Sequence, residues 1–264
     1  MKRFLVLFSV LTGFAFLASL APAQMSSAPE MLYVHHEVVH PSKIMEHEAA
    51  TRDFLAAVKA HSDAEHQFNY MAVATAEFDY YYVLPIKSFA DIDKLNAFFG
   101  HMSEKMGKEK FDALMMKGSP NIDHTSEIVA MRRPDLSYMP KTPRLQPEEV
   151  KFIRYEFYYI KPEAESKVEA ISKEWAALFA KHNVNDGFTV FQVLIGDDLP
   201  LVVVTTEGTS PADLETQNAK ILETLGKEGQ DLNMKTLALT RRFETKIGQL
   251  RPDLSNMPAA PTSN

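Results

Sequence analysis

Apolar positions recur along the chain in two alternating rhythms. MLYVHHEVVH, residues 31–40, is β-branched and aromatic and ends at Pro41; FIRYEFYYIK, residues 152–161, has the same character and ends at Pro162. Both patterns predict strands. After each comes helical spacing. Val168, Ile171, Trp175, Leu178, Phe179 and His182 stand at i, i+3/i+4 intervals, and His47, Ala50, Phe54, Ala57, Val58 and His61 hold the same positions after the first strand. Ser42 is placed to cap the first of these helices. Two further strands are predicted near FNYMAVAT and FDYYYVLP, matched later by FTVFQVLI and LPLVVVTT. A second amphipathic helix is predicted after Ser88 and again after Ser210, with a break at Gly107 or Gly226. SEIVAMRR and TKIGQLR read as closing strands.

The pattern is therefore written twice. RRPDLSYMP at 132–140 returns as LRPDLSNMP at 250–258, MGKEK at 106–110 as LGKEG at 225–229, and FADIDKLNA at 89–97 as PADLETQNA at 211–219. An ordered series of matches at nearly constant offset marks a tandem repeat. The division that follows is 24–140 for the first unit, 141–150 for a Pro-containing polar linker, 151–258 for the second unit and 259–264 for a tail. Each unit has the order β-α-β-β-α-β, the ferredoxin-like arrangement. A unit of this order present twice resembles the dimeric α/β-barrel superfamily, which includes antibiotic-biosynthesis-monooxygenase-like and NIPSNAP-like proteins and haem-handling members. The resemblance rests on element order and duplication, and it implies an α+β fold in which two sheets close into one barrel. A single such sheet has helices on one face only, so its other face needs a partner. A tandem copy supplies it within the chain, and the expectation is a monomeric pseudo-dimer.

Composition changes this picture at the amino terminus. Lys2 and Arg3, the apolar run Phe4–Leu20 and the small-x-small site Ala21-Pro22-Ala23 predict a signal peptide over 1–23, cut after Ala23. The expected location is periplasmic or secreted. The chain has no Cys, so the core must hold without disulfides. With 45% hydrophobic residues, a net charge of −7 and scattered basic residues, the chain is globular and gives no electrostatic case for nucleic acid. No apolar stretch beyond the signal peptide is long enough to span a membrane.

HEVVH, residues 36–40, fits the HExxH pattern of zinc proteases. That chemistry needs a helix, which sets both His one turn apart. In a strand, residues four apart are separated by roughly 13 Å at about 3.3 Å per residue, and Glu37 points away from His36 and His40. The motif is read as a decoy, and no metal is assigned to it. Strand alternation singles out another set. Tyr33, His35 and Glu37 share one face, with Arg154, Glu156 and Tyr158 as their counterparts. This more polar face is expected to line the lumen between the two sheets, joined by Tyr81 from the Tyr80-Tyr81-Tyr82 run that Val202-Val203-Val204 replaces in the second unit. These groups would either anchor a small organic ligand or pair with one another as a polar layer. His35 and Glu37, with Glu156, are a weaker candidate metal set. His47 reads as a core histidine, and His61 and His182 suit helix C-termini. The sequence requires no cofactor, and no nucleotide-binding or serine-hydrolase motif occurs. Three functions stay open: a binding module for a small organic ligand, a cofactor-independent oxygenase or haem-handling enzyme as the resemblance implies, and a protein-interaction module with a filled barrel.

Overall fold

The computed structural model describes residues 30–63 and 65–257. The amino-terminal segment read as a signal peptide and the tail 259–264 lie outside the described residues. The first half runs β1 (Glu30–Val39), α1 (Ile44–His61), β2 (Met71–Thr75), β3 (Asp79–Ile86), α2 (Ala90–Met106), α3 (Lys108–Gly118) and β4 (Ile122–Arg132). The second runs β5 (Phe152–Ile160), α4 (Glu165–Lys181), β6 (Thr189–Ile195), β7 (Leu201–Gly208), α5 (Pro211–Leu239) and β8 (Thr240–Leu250). The element order repeats as the pattern predicted.

The eight strands close into one barrel in the order β1-β3-β2-β8-β5-β7-β6-β4, every neighbour antiparallel. Each half contributes four strands, and the two seams between halves are β2 with β8 and β4 with β6. At the first seam the sheets approach closely: a Cβ at Gly248 would collide with Val73 and Tyr155.

Several local expectations are corrected. Ser42 does not cap α1; residues Pro41–Lys43 form a 3-10 turn that leads into it, and no side chain caps its first turn. Pro at the start of that turn presets φ, which makes a side-chain cap dispensable. Ser210 does cap α5, accepting from the Asp213 N–H at 3.1 Å. In the first half Asp91 takes that work, accepting from the Lys87 and Ser88 N–H groups. Gly107, at φ 84°, divides α2 from α3, and Gly226, at φ 53°, breaks α5 without ending it. Both conformations favour glycine. The closing strands β4 and β8 run eleven residues, longer than their apolar alternation, because they begin with exposed residues, polar at Asp123 to Thr125 and at Arg241 and Arg242.

The RPDLSxMP tails do more than finish each repeat. Each crosses to the other half. Tyr138 pairs with Phe188 at the start of β6, and Asn256 pairs with Tyr70 at the start of β2. Leu136 sits in the second-half core with Ile171, Phe179 and Leu225, and Leu254 in the first-half core with Leu55, Tyr70 and Tyr80. Ser137 Oγ accepts the Val190 N–H and Ser255 Oγ the Ala72 N–H, both at 2.9 Å. Arg251 reaches across to Glu48 on α1 and Arg133 to Glu169 on α4.

Candidate functional site

The side-chain faces of the barrel are opposite to the expectation. The lumen holds the more apolar set. Ile128, Ala130, Phe157, Tyr159, Phe191, Val193, Leu201 and Val203 pack together inside it. Tyr81 stacks on His36 at 4.5 Å and reaches Tyr155 of the other half at 6.1 Å. Tyr81 therefore faces the lumen. His36 keeps to its edge, with Nε2 at 2.8 Å from Asp79, whose other oxygen accepts from Lys246. HEVVH is extended in β1 up to Val39, and its two His face different partners, His36 against Asp79 and His40, just past the strand, against Asp123.

Tyr33, His35 and Glu37 point the other way, under the helices of their own half. Arg154, Glu156 and Tyr158 do the same in theirs. The two sets therefore lie on opposite outer faces of the barrel and never meet. Arg154 pairs with Glu215 on α5, and Tyr158 donates to Glu156 at 2.8 Å, a carboxylate that burial pushes up. Glu156 is thus no third ligand for His35 and Glu37.

What differs between the halves is the space under the helices. In the second half, Val190, Val202 and Val204 pack directly against Trp175, Phe179, Ile221 and Leu225. In the first half a cavity of about 360 Å³ remains between the sheet and α1, α2 and α3, at the lower end of the range of small-molecule sites, about 300–1,000 Å³. Its apolar wall comes from Ala50, Phe54, Phe68, Leu95, Phe99 and Leu114. Its polar wall is a chain of hydrogen bonds. His35 donates from Nδ1 to Glu127 at 2.6 Å and from Nε2 to Glu37 at 3.1 Å. Tyr33 shares Glu127. The far oxygen of Glu37 lies 3.6 Å from His47 Nε2, which is 3.2 Å from the Tyr82 hydroxyl; Thr51 stands 3.4 Å from the same hydroxyl.

The two histidines are driven apart in protonation. Burial alone would lower His35, but its bonds to Glu127 and Glu37 outweigh this and raise it to about 9. His47 is 2% exposed, and burial lowers it below the usual imidazole range against the pull of Glu37 and Glu48. At neutral pH the wall therefore holds an imidazolium and a neutral imidazole either side of one carboxylate. His47 Nδ1 and the Tyr70 hydroxyl are buried in this wall without a protein partner. A buried polar group left so is costly unless a bound molecule satisfies it.

Sequence reasoning placed Tyr33, His35 and Glu37 in a site but missed His47, Thr51, Tyr70, Tyr82 and Glu127. Two signals bore on them. His47 and Tyr82 stand where the second unit has Val168 and Val204, polar groups replacing apolar ones on a face that packs under helices. Glu127 comes from the β1–β4 register, in which it sits opposite His35, and register is not written in either strand alone.

The lining was tested against haem, which the resemblance raises. It contains two carboxylates, Glu37 and Glu127, and no Lys or Arg. The propionates of a haem would meet like charge, and the only cation, His35, is already held by both carboxylates. The cavity does not fit haem.

No protein-family model matches the chain, and no curated protein matches it in sequence. Solved structures do match in fold. An anthrone oxidase-like protein superposes with a TM-score of 0.54 at 11% identity, over 88% of this chain and 96% of that one. A mutant chlorite dismutase from Candidatus Nitrospira defluvii gives 0.51 at 10% identity, over 87% and 94%. A candidate monooxygenase from Fusobacterium nucleatum gives 0.50 at 13% identity, over 86% and 94%. At such identities the likeness is one of fold. This chain's eight strands, closed from two four-stranded sheets, each under its own helices, make the dimeric α/β-barrel fold, with both halves in a single polypeptide.

Proposed function

We propose that the first-half cavity binds a small, uncharged, largely aromatic molecule bearing a hydroxyl or carbonyl, and that His47 is placed to take a proton from it. The observation that carries this reading is the pair of unpartnered buried atoms, His47 Nδ1 and Tyr70 OH, in an otherwise aromatic wall. A ligand hydroxyl or an acidic C–H donates to His47 Nδ1; the Tyr70 hydroxyl, kept neutral by burial, donates to a ligand carbonyl. A neutral imidazole beside the Glu37 carboxylate is the protonation state a general base needs. Proton abstraction from such a molecule leaves an electron-rich carbanion that dioxygen oxidises, so an oxygenase that needs no bound cofactor is the enzymatic form of this reading. The fold neighbours described as a monooxygenase and as anthrone oxidase-like agree with it. The lining gives no support to haem handling.

The test is a thermal-shift and calorimetric titration of the chain with anthrone and 1-naphthol, followed by dissolved-oxygen uptake. A rise in Tm, abolished by Ala50→Trp, which fills the cavity, is the expected result. Oxygen uptake lost in His47→Gln with binding kept would assign the base. No Tm shift with either compound, or a shift that survives Ala50→Trp, overturns the reading. Export is proposed on residues 2–23 alone; amino-terminal sequencing of the protein recovered outside the cytoplasm checks it.

A further inference from the structure

We propose that Asp63, His66 and His101, with the main-chain carbonyl of His61, form a binding site for one divalent transition metal at the open end of the first half. The donor atoms of the three side chains lie within 4.8 Å of one another. They come from separate pieces of chain: Asp63 and His66 from the loop after α1, His101 from α2.

The loop is already shaped for this. Asp63 Oδ1 accepts from the backbone N–H of Glu65 at 3.0 Å and of His66 at 2.8 Å, and lies 3.0 Å from the His66 ring nitrogen Nδ1. This leaves Oδ2 turned toward α2, 3.4 Å from His101 Nε2. The His61 carbonyl approaches the same nitrogen at 3.1 Å. Two acceptors thus converge on one ring nitrogen, which has at most one hydrogen to give. The His66 and His101 rings lie face to face, 4.0 Å apart and 7° from parallel. A cation among a carboxylate, a carbonyl and two imidazoles satisfies all of these donors together. The mixed nitrogen and oxygen set suits zinc, copper or nickel better than calcium or magnesium. The matching corner of the second half is built otherwise: Asp186 is held by Arg144 at 3.0 Å, and no comparable trio occurs there among the described residues. These groups are distinct from HEVVH and from the cavity lining. A metal here would tie α2 to the α1–β2 loop.

Metal-stripped full-length chain is titrated with zinc chloride by calorimetry, and the loaded protein is weighed by native mass spectrometry. One zinc per chain is expected, with a rise in Tm by linkage. Loss of an outer-shell partner alone costs about 10–100-fold in affinity, so His66→Ala and His101→Ala should each weaken binding by at least about tenfold, and the pair should abolish it. His124→Ala, next to Asp123 on another surface, should leave it unchanged. Matching metal-free melting curves establish that the variants fold; Asp63→Asn and His101→Gln replace any that does not. No zinc uptake by the wild-type chain, or uptake undiminished in the double variant, overturns the site.

Discussion

Glu37 stands between two histidines that it treats unequally. His35, bonded to two carboxylates, stays protonated to about pH 9; buried His47 does not charge at neutral pH. The consequences for stability have opposite signs. A folded pKa near 9 against about 6.5 unfolded means that the His35 contribution is complete below about pH 6.5 and is lost as pH rises toward 9. The His47 contribution is present above about pH 6.5 and is lost as pH falls below it. Urea melts across pH 5 to 9.5 should show a fall on each side. Glu127→Gln should flatten the alkaline fall and return the His35 titration, followed by NMR, toward about 6.5. At this scale the sequence was partly legible. Tyr33, His35 and Glu37 were recognised as one polar face, but the face was assigned to the wrong side of the sheet. Alternation separates two faces without saying which of them meets the helices.

Strands, helices and the glycine breaks were readable because each rests on local chemistry. The exchange of the RPDLSxMP segments was not. Their repetition was visible, yet a turn sequence gives no sign of which half receives its leucine. Leu254 is fully buried in the first half although it ends the second repeat. Leu254→Ala should cost about 2–5 kcal/mol, the range for emptying a core leucine site. Hydrogen exchange should rise in β2 and α1, far from it in sequence. Leu136→Ala should do the same in α4 and β6. If exchange rises only within the mutated repeat, the segments do not act as clasps between halves. The broken helix of the first half also matters here. Gly107 divides α2 from α3, and the two pieces contribute Leu95, Phe99 and Leu114 to the cavity wall.

The two seams and the exchanged tails couple the halves over the whole molecule. One cooperative urea transition is expected, with the same midpoint by tyrosine and by tryptophan fluorescence, because Trp175 reports the second half while Tyr80 and Tyr82 weight the first. Two separated transitions would show that the halves fold as independent bodies. The pseudo-dimer itself is a proposal for solution, checked by light scattering at one chain's mass, 29.8 kDa. Closure of the ring has one more effect. The strands are rich in Val, Ile and Tyr, with runs such as VVVTT and YYYV that in an open sheet would invite pairing with another chain. In the order found here Tyr80–Val83 and Val202–Thr205 are each paired on both sides, so these two runs offer no free edge to an incoming strand, and their self-association has to wait for the barrel to open.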